Sequence, residues 1–403
     1  MTDVAASSRI LDIALAPKGH EAIEWVRRHS PVLTGFVRDR LDDGRLGGRR
    51  IALLANLDAK AALLATVLAD SGARVVVAGS NPLTTRDDVA AALVERGVEV
   101  HGSRQSPEDV WESDLSAVMN RDPELVIDDG AELTSRLARY RRDIFTRVRG
   151  VTEKTSTGTA LLRDLDAAGD LPMPAIATSE ASCQHLFDAR YGGGQSIIQA
   201  ILRLTNLRMP GKRVVVVGYG STGRGIANYV RSLGGQVSVV EIDPLKALEA
   251  LTDGHQMAEL NSALAGANLV ITATGGVGII SKPQFSALSP LTILANSGHH
   301  DLEIDVPALA SSSRPPEEVR PGVTKYQLNG ERSVYLLCGG VSVDIASGLG
   351  HPIETTDLSS SVQALACHLL AGGGVDPGIQ DFPSELDRAI ATAQLESRMG
   401  PLS

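Results

Sequence analysis

The chain has 403 residues, of which 43% are hydrophobic, 21% charged and only 3% aromatic, with 40 glycines. That is ordinary globular composition. Lys+Arg 38 against Asp+Glu 48 gives a net charge of -10, and the pI is about 5.4. An acidic chain without a basic run argues against a nucleic-acid partner and against an anionic membrane surface. The opening residues lack a basic stretch followed by an apolar one, and no run of about 18 apolar residues occurs, so neither a signal peptide nor a membrane span is expected. Cys183, Cys338 and Cys367 are far apart. Their spacing suits neither a disulfide framework nor a zinc site, so no metal and a cytoplasmic setting are expected.

Short apolar runs alternate with helical patterns along most of the chain. Ile51–Ala55, Val75–Val77 and Leu125–Ile127 read as strands, separated by helices at Ala61–Leu68 and Asp87–Arg96. The third strand ends in Asp128-Asp129-Gly130. Unbroken Val/Ile/Leu runs indicate a parallel sheet covered on both faces, hence a doubly wound α/β class. Tyr191-Gly192-Gly193-Gly194 reads as a flexible segment at a domain boundary. A helix at Gln195–Leu204 follows, and then strands at Val214–Val217, Val237–Val240, Leu269–Thr272, Leu291–Ala295 and Val334–Leu337. Ser360–Leu370 is helical, Gly372-Gly373-Gly374 breaks it, and Ser384–Glu396 forms a last helix. The expected organisation is a first domain at 1–188, completed by 352–375, with a Rossmann domain inserted at 189–351. A C-terminal helix and tail occupy 376–403.

The strongest local signal is Gly218-Tyr219-Gly220-Ser221-Thr222-Gly223 after the strand Val214–Val217. An amphipathic helix follows, with Ile226, Val230 and Leu233 on one face. A second strand ends in Glu241, 23 residues after Gly218. This is the full context of a dinucleotide site. Gly218 permits the tight turn, Gly220 lets the backbone approach a pyrophosphate at the helix N-terminus, and Gly223 lets helix and strand pack closely. Ser221 and Thr222 open that helix. Glu241 can accept hydrogen bonds from ribose hydroxyls and repels a 2′-phosphate, which favours NAD. Thr274 and Gly275, at the end of a later strand, can line the nicotinamide side.

Beyond this site the chain resembles S-adenosylhomocysteine hydrolase over nearly its whole length. The segments that carry the resemblance are IDDG (127–130), EKTSTG (153–158), FDARYGGGQS (187–196), GYGSTGRGIA (218–227), EIDP (241–244), NSGHHDLEIDV (296–306) and GHP (350–352). The resemblance implies a substrate domain with an inserted NAD domain, assembled as a homo-oligomer. It also implies redox-assisted elimination. C3′ of a nucleoside is oxidised, the ketone acidifies C4′–H, the 5′ substituent leaves, water adds and the ketone is reduced again. Asp129 then stands for the acid/base carboxylate near C4′/C5′, and Asp188 for the aspartate facing the 3′-hydroxyl. His299 matches the histidine of the NxGH motif, His351 the one on the adenine side, and Asn296 lies near the nicotinamide. Thr155, Ser156 and Thr157 occupy the run that contacts NAD.

The departures from the family pattern concern the substrate pocket. Gln184 replaces a lysine that helps deprotonate the 3′-hydroxyl, and Lys154 replaces a glutamate beside the sugar hydroxyls. Lys154 is either a base supporting Asp188 or a counter-charge for a carboxylate. Asn56 replaces a histidine near the 5′ leaving group, while Asp58 and Lys60 replace a threonine and a glutamate of the adenine pocket. Ala189 replaces an asparagine, and Asp344 an asparagine that contacts the cofactor. The family's last segment has no counterpart before Ser403, which leaves dimer and tetramer both open. The expected substrate is an adenine nucleoside or a related small molecule. The leading expectation is a dehydratase that expels water from the 5′ position to leave an unsaturated nucleoside of the angustmycin type. Its proton donor would be Asp129 or the doublet His299-His300. The alternatives are a divergent hydrolase, a 3′-epimerase and a non-catalytic NAD-bound homologue.

Overall fold

The computed structural model describes residues 2–298, 301–328, 330 and 332–400. The chain forms two compact units, residues 1–185 with 353–403 and residues 186–352. The second unit is inserted in the first. Residues 376–400 cluster with the first unit. In chain order the strands are β1 (Arg50–Ala55), β2 (Arg74–Gly79), β3 (Glu99–His101), β4 (Leu125–Asp128), β5 (Gly150–Glu153), β6 (Pro174–Ala177), β7 (Arg213–Val217), β8 (Gln236–Val240), β9 (Gln256–Met257), β10 (Leu269–Thr272), β11 (Ile293–Asn296), β12 (Glu317–Arg320), β13 (Val323–Gln327), β14 (Ser333–Leu337) and β15 (Gly378–Asp381).

The first unit carries a parallel seven-stranded sheet in the order β15-β6-β5-β4-β1-β2-β3. Alternate residues of each strand enter different cores. Ile51, Leu53, Val75, Val77, Leu125 and Ile127 pack with the helices Ala59–Asp70, Asp87–Glu95 and Ile353–Gly372. Ala52, Leu54, Val76, Val126 and Val151 pack on the other face with the helices Glu108–Met119 and Glu132–Tyr140. Because both faces are buried, the strands read as continuous apolar runs. The helix Ile353–Gly372 is buried along most of its length, including Thr356, Asp357 and Ser359–Ser361. Asp357 accepts hydrogen bonds from the backbone N–H groups of Val32 and Leu33. This polar stretch explains why the sequence pattern reveals only the last half of the helix.

The second unit carries an eight-stranded sheet in the order β12-β13-β14-β11-β10-β7-β8-β9, antiparallel only at β12–β13–β14. β11 starts at Ile293 rather than Leu291, because Leu291 has a positive φ of 67° and belongs to the preceding turn. The expected flexibility at Tyr191–Gly194 is not what the backbone shows. A π-helical segment, Cys183–Gly192, is followed directly by the α-helix Gly193–Thr205. These glycines serve close packing. A Cβ on Gly194 would stand 2.5 Å from the carbonyl carbon of Gly225, and one on Gly225 would stand 1.8 Å from the carbonyl oxygen of Arg190. Among the described residues no helix is long and apolar enough to cross a membrane.

Candidate active site

The first sheet reverses its strand order between β4 and β1, and the parallel strands of the second reverse theirs between β10 and β7. Open α/β sheets bind ligands at the carboxyl ends of the strands beside such a reversal, where the flanking loops part. The singled-out residues of each unit lie largely at these two places.

In the first unit, Asn56 follows β1 and Asp129 follows β4. Ser80, just after β2, links them. Its Oγ lies 3.3 Å from Asn56 Oδ1 and 3.2 Å from Asp129 Oδ2. Thr84 Oγ1 also donates to Asn56 Oδ1, at 2.8 Å. Asp58 caps the helix Ala59–Asp70 by accepting from the N–H groups of Lys60 and Ala61. Its Oδ2 meets Lys60 Nζ at 2.9 Å. Burial alone would raise the Asp58 carboxyl, but Lys60, the Ala61 N–H and the charge of Lys154 together hold it below its ordinary range. Gln184 Nε2 donates to the carbonyl oxygen of Lys154, while Gln184 Oε1 is buried with no hydrogen-bond partner among the described residues.

Two buried carboxylates that the sequence reading did not single out hold this region together. Asp128 accepts from the N–H groups of Asp129, Leu133 and Thr134 and from the Thr134 hydroxyl. Glu153, its partner in the β4–β5 register, accepts from the N–H groups of Gly130, Ala131 and Thr155 and from the Thr155 hydroxyl. Burial and the neighbouring Asp128 push the Glu153 carboxyl up to about 8, and burial raises Asp128 as well. Thr155, expected against NAD, also accepts from the Gly158 N–H and caps the helix Ser156–Ala167. Ser156 is exposed and Thr157 half-buried in its first turn. The available signal for Glu153 was a carboxylate closing a fully buried apolar strand.

In the second unit the glycine loop has the geometry its spacing implied. Gly218 has a φ of 96°, and a Cβ there would meet the Ala273 carbonyl oxygen at 2.6 Å. A Cβ on Gly223 would stand 2.0 Å from the Gly218 carbonyl oxygen, whereas one on Gly220 would meet nothing within 4 Å. Two glycines are therefore needed for packing, and the third leaves open space at the start of the helix Ser221–Ser232, where Ser221 and Thr222 sit. Glu241 is held by the N–H groups of Tyr219 at 2.7 Å, Ile242 at 2.7 Å and Asp243 at 2.9 Å. A carboxylate has about four lone-pair sites, so capacity remains for a ribose hydroxyl. The cradle fits a dinucleotide: open backbone at Gly220, a helix N-terminus and an acid at the end of the next strand.

Thr274 and Gly275 follow β10, and their N–H groups donate to the buried Glu303, a residue the sequence reading overlooked although it lies within NSGHHDLEIDV. Asn296 is buried, donating to the Gly340 carbonyl and accepting from Thr272 Oγ1 and the Gly298 N–H. Asp188 lies buried in the π-helical segment and meets His351 Nδ1 at 2.9 Å. Asp344, expected as a cofactor contact, is buried and accepts from the hydroxyls of Ser342 and Ser196. His299 and His300 lie outside the described residues.

A doubly wound first unit and an inserted dinucleotide-binding unit define a two-part NAD-binding α/β protein. Residues 7–143 match the family described as "S-adenosyl-L-homocysteine hydrolase", and residues 189–350 match "S-adenosyl-L-homocysteine hydrolase, NAD binding domain". The chain is 41% identical over 392 residues to an S-inosyl-L-homocysteine hydrolase of Methanopyrus kandleri, covering 96% of this chain and 92% of that protein. It is 40% identical over 390 residues to an adenosylhomocysteinase of Thermococcus kodakarensis, covering 96% and 93% respectively. An adenosylhomocysteinase of Thermotoga maritima is 39% identical over 381 residues, covering 94% of each chain. The protein belongs to the S-adenosyl-L-homocysteine hydrolase family, and its cofactor is NAD.

Proposed function

We propose that this protein acts on the sugar of an adenine nucleoside by oxidation, elimination of the 5′ substituent and re-reduction. The expelled group is water, and the product is an unsaturated nucleoside of the angustmycin type. The observation that carries this reading is that the departures Asn56, Asp58, Lys60, Lys154 and Gln184 are linked in one region of the first unit, while the cradle of the second unit is intact. Altered surroundings for the sugar beside a preserved oxidant site suit a changed leaving group better than a lost reaction.

When bound by Gly218, Gly220, Ser221, Thr222, Gly223, Glu241, Thr274, Gly275 and Asn296, the dinucleotide supplies reversible two-electron oxidation of a carbinol. The chain's own residues do the rest. Asp188 takes the proton of the 3′-hydroxyl. Gln184 Oε1, a buried acceptor without a partner among the described residues, suits a sugar hydroxyl. Asp129 moves the proton between C4′ and the departing oxygen. Hydroxide leaves far less readily than a thiolate, so the departing oxygen must be protonated as its bond breaks. Asn56 cannot ionise, and the carboxyl joined to it through Ser80 is Asp129. Lys154 and Lys60 keep Asp58 charged at the base end of the pocket. We further expect a homo-oligomer, dimer or tetramer, which sedimentation would identify.

A second reading is favoured by the relatives, whose names specify hydrolysis of S-inosyl- or S-adenosylhomocysteine. One assay separates the two. Purified holoprotein is incubated with adenine nucleosides bearing a free hydroxymethyl group, with S-adenosylhomocysteine and with S-inosylhomocysteine, and products are read by mass spectrometry. A nucleoside lighter by one water is expected. Homocysteine release without any dehydrated nucleoside would establish the hydrolase instead. Asp188→Asn should lower either turnover by about 10²–10⁴-fold, the range for a general base.

A further inference from the structure

Within the second unit one imidazole lies between two buried carboxylates. His351 Nδ1 is 2.9 Å from Asp188 Oδ1, and Nε2 is 3.6 Å from Asp344 Oδ2. The aspartates come from different elements, Asp188 from the π-helical segment and Asp344 from the short helix Val343–Ala346. Asp344 is fixed in place, because Ser342 Oγ donates to Oδ1 at 2.7 Å and Ser196 Oγ to Oδ2 at 3.2 Å. From the helix Gly193–Thr205 the ring faces Gly193, where a Cβ would stand 3.6 Å from Nε2.

A neutral imidazole has one N–H and one lone pair. Beside two carboxylates it could donate to one and would turn its lone pair on the other. The protonated ring offers an N–H to each, and two opposite charges at short range favour that form. At 3.6 Å the Nε2–Asp344 contact is too long for a hydrogen bond and is an ion pair when the ring is protonated.

We propose that Asp188, His351 and Asp344 act as one acid–base unit, with His351 held as an imidazolium, and that Asp344 is the positioning residue that keeps the ring protonated and its Nδ1–H turned on the Asp188 carboxylate. This rests on the reading that Asp188 faces a sugar hydroxyl. In the step concerned, the hydroxyl O–H bond breaks and its proton passes to the Asp188 carboxylate. The O–H electron pair becomes the second bond of the carbonyl. The hydrogen on the same carbon leaves with both electrons to the dinucleotide. Without the Asp344 charge the ring can be neutral and turn its lone pair on Asp188, so the accepting carboxylate is no longer held.

The test is nitrogen NMR of histidine-labelled holoprotein at neutral pH, with the His351 signals assigned by their loss in His351→Gln. The expected result is a doubly protonated ring in the wild-type protein and a neutral ring in Asp344→Asn. Asp344→Glu, which restores the charge, should recover the protonated signal. With a nucleoside added, Asp344→Asn should slow the rise in reduced-nicotinamide absorbance by about tenfold or more, because the accepting carboxylate is no longer held in place, with KM nearly unchanged. Should Asp344→Asn fail to fold, Ser342→Ala removes one of its supports and should shift both readouts the same way. A neutral His351 in the wild type, or an imidazolium that persists in Asp344→Asn, overturns the proposal. A protonated ring in a wild-type protein that oxidises no nucleoside overturns the functional reading and leaves the charge unit standing.

Discussion

The two strand-order reversals use opposite materials. Around β7 and β10 the site is made of backbone: glycines at 218, 220 and 223, a helix N-terminus, and Glu241 held by three N–H groups. Around β1 and β4 it is made of side chains: Asn56, Asp58, Lys60, Ser80, Asp129 and Lys154. A backbone site has few residues that can change, because Gly218 and Gly223 are demanded by packing. A side-chain site can be re-specified one residue at a time while the sheet beneath it stays as it was. The intact cradle and the altered pocket of this chain follow from that difference.

The largest effect should come from Gly223→Ala. Its Cβ would stand 2.0 Å from the Gly218 carbonyl oxygen, so the loop must open. Loss of dinucleotide retention is expected, with a destabilisation of at least about 2 kcal/mol, the scale of overpacking in a tight site. Retained NAD measured by absorbance and unfolding measured in urea check both. Unchanged retention would show that the cradle is not set by backbone packing.

Glu153→Gln addresses the link between the side-chain site and its scaffold. The Glu153 carboxyl rises from an ordinary value of 4.5 to about 8 in the folded protein. Over the window between those values the folded state holds a proton that the unfolded state has released. Its contribution to stability is therefore complete below about 4.5 and is lost as pH rises through about 8. Urea titrations across that window should show stability falling with pH in the wild type and a flatter profile in Glu153→Gln. An unaltered slope would assign the proton to Asp128 or elsewhere.

The smallest expected change is Asn56→Ala. Ser80 and Thr84 lose an acceptor, and removal of a partly buried hydrogen-bond partner costs about 1 kcal/mol. NAD retention should not change, because Asn56 belongs to the first unit's pocket. A large loss of bound NAD in this variant would break the division of labour between the two regions.

Sequence alone determined the features carried by local pattern. Apolar runs marked the strands buried on both faces. The glycine spacing with Glu241 marked the dinucleotide cradle. The ordered segments from IDDG to GHP marked the family. Tertiary structure decided what depends on approach between distant residues. Gly192–Gly194 read as a linker, because glycine is the same letter in a hinge and in a tight helix crossing; only the position of Gly225 separates the two. Glu153 and Glu303 were hidden because a carboxylate's role depends on which N–H groups reach it, and these come from loops that only folding brings within reach. His351 gave no sign of a second acid, since Asp188 lies 163 residues away in sequence. Periodicity and spacing record what a residue does within its own element. Charge, burial and proton affinity are set by neighbours from other elements, and those neighbours are chosen by the fold.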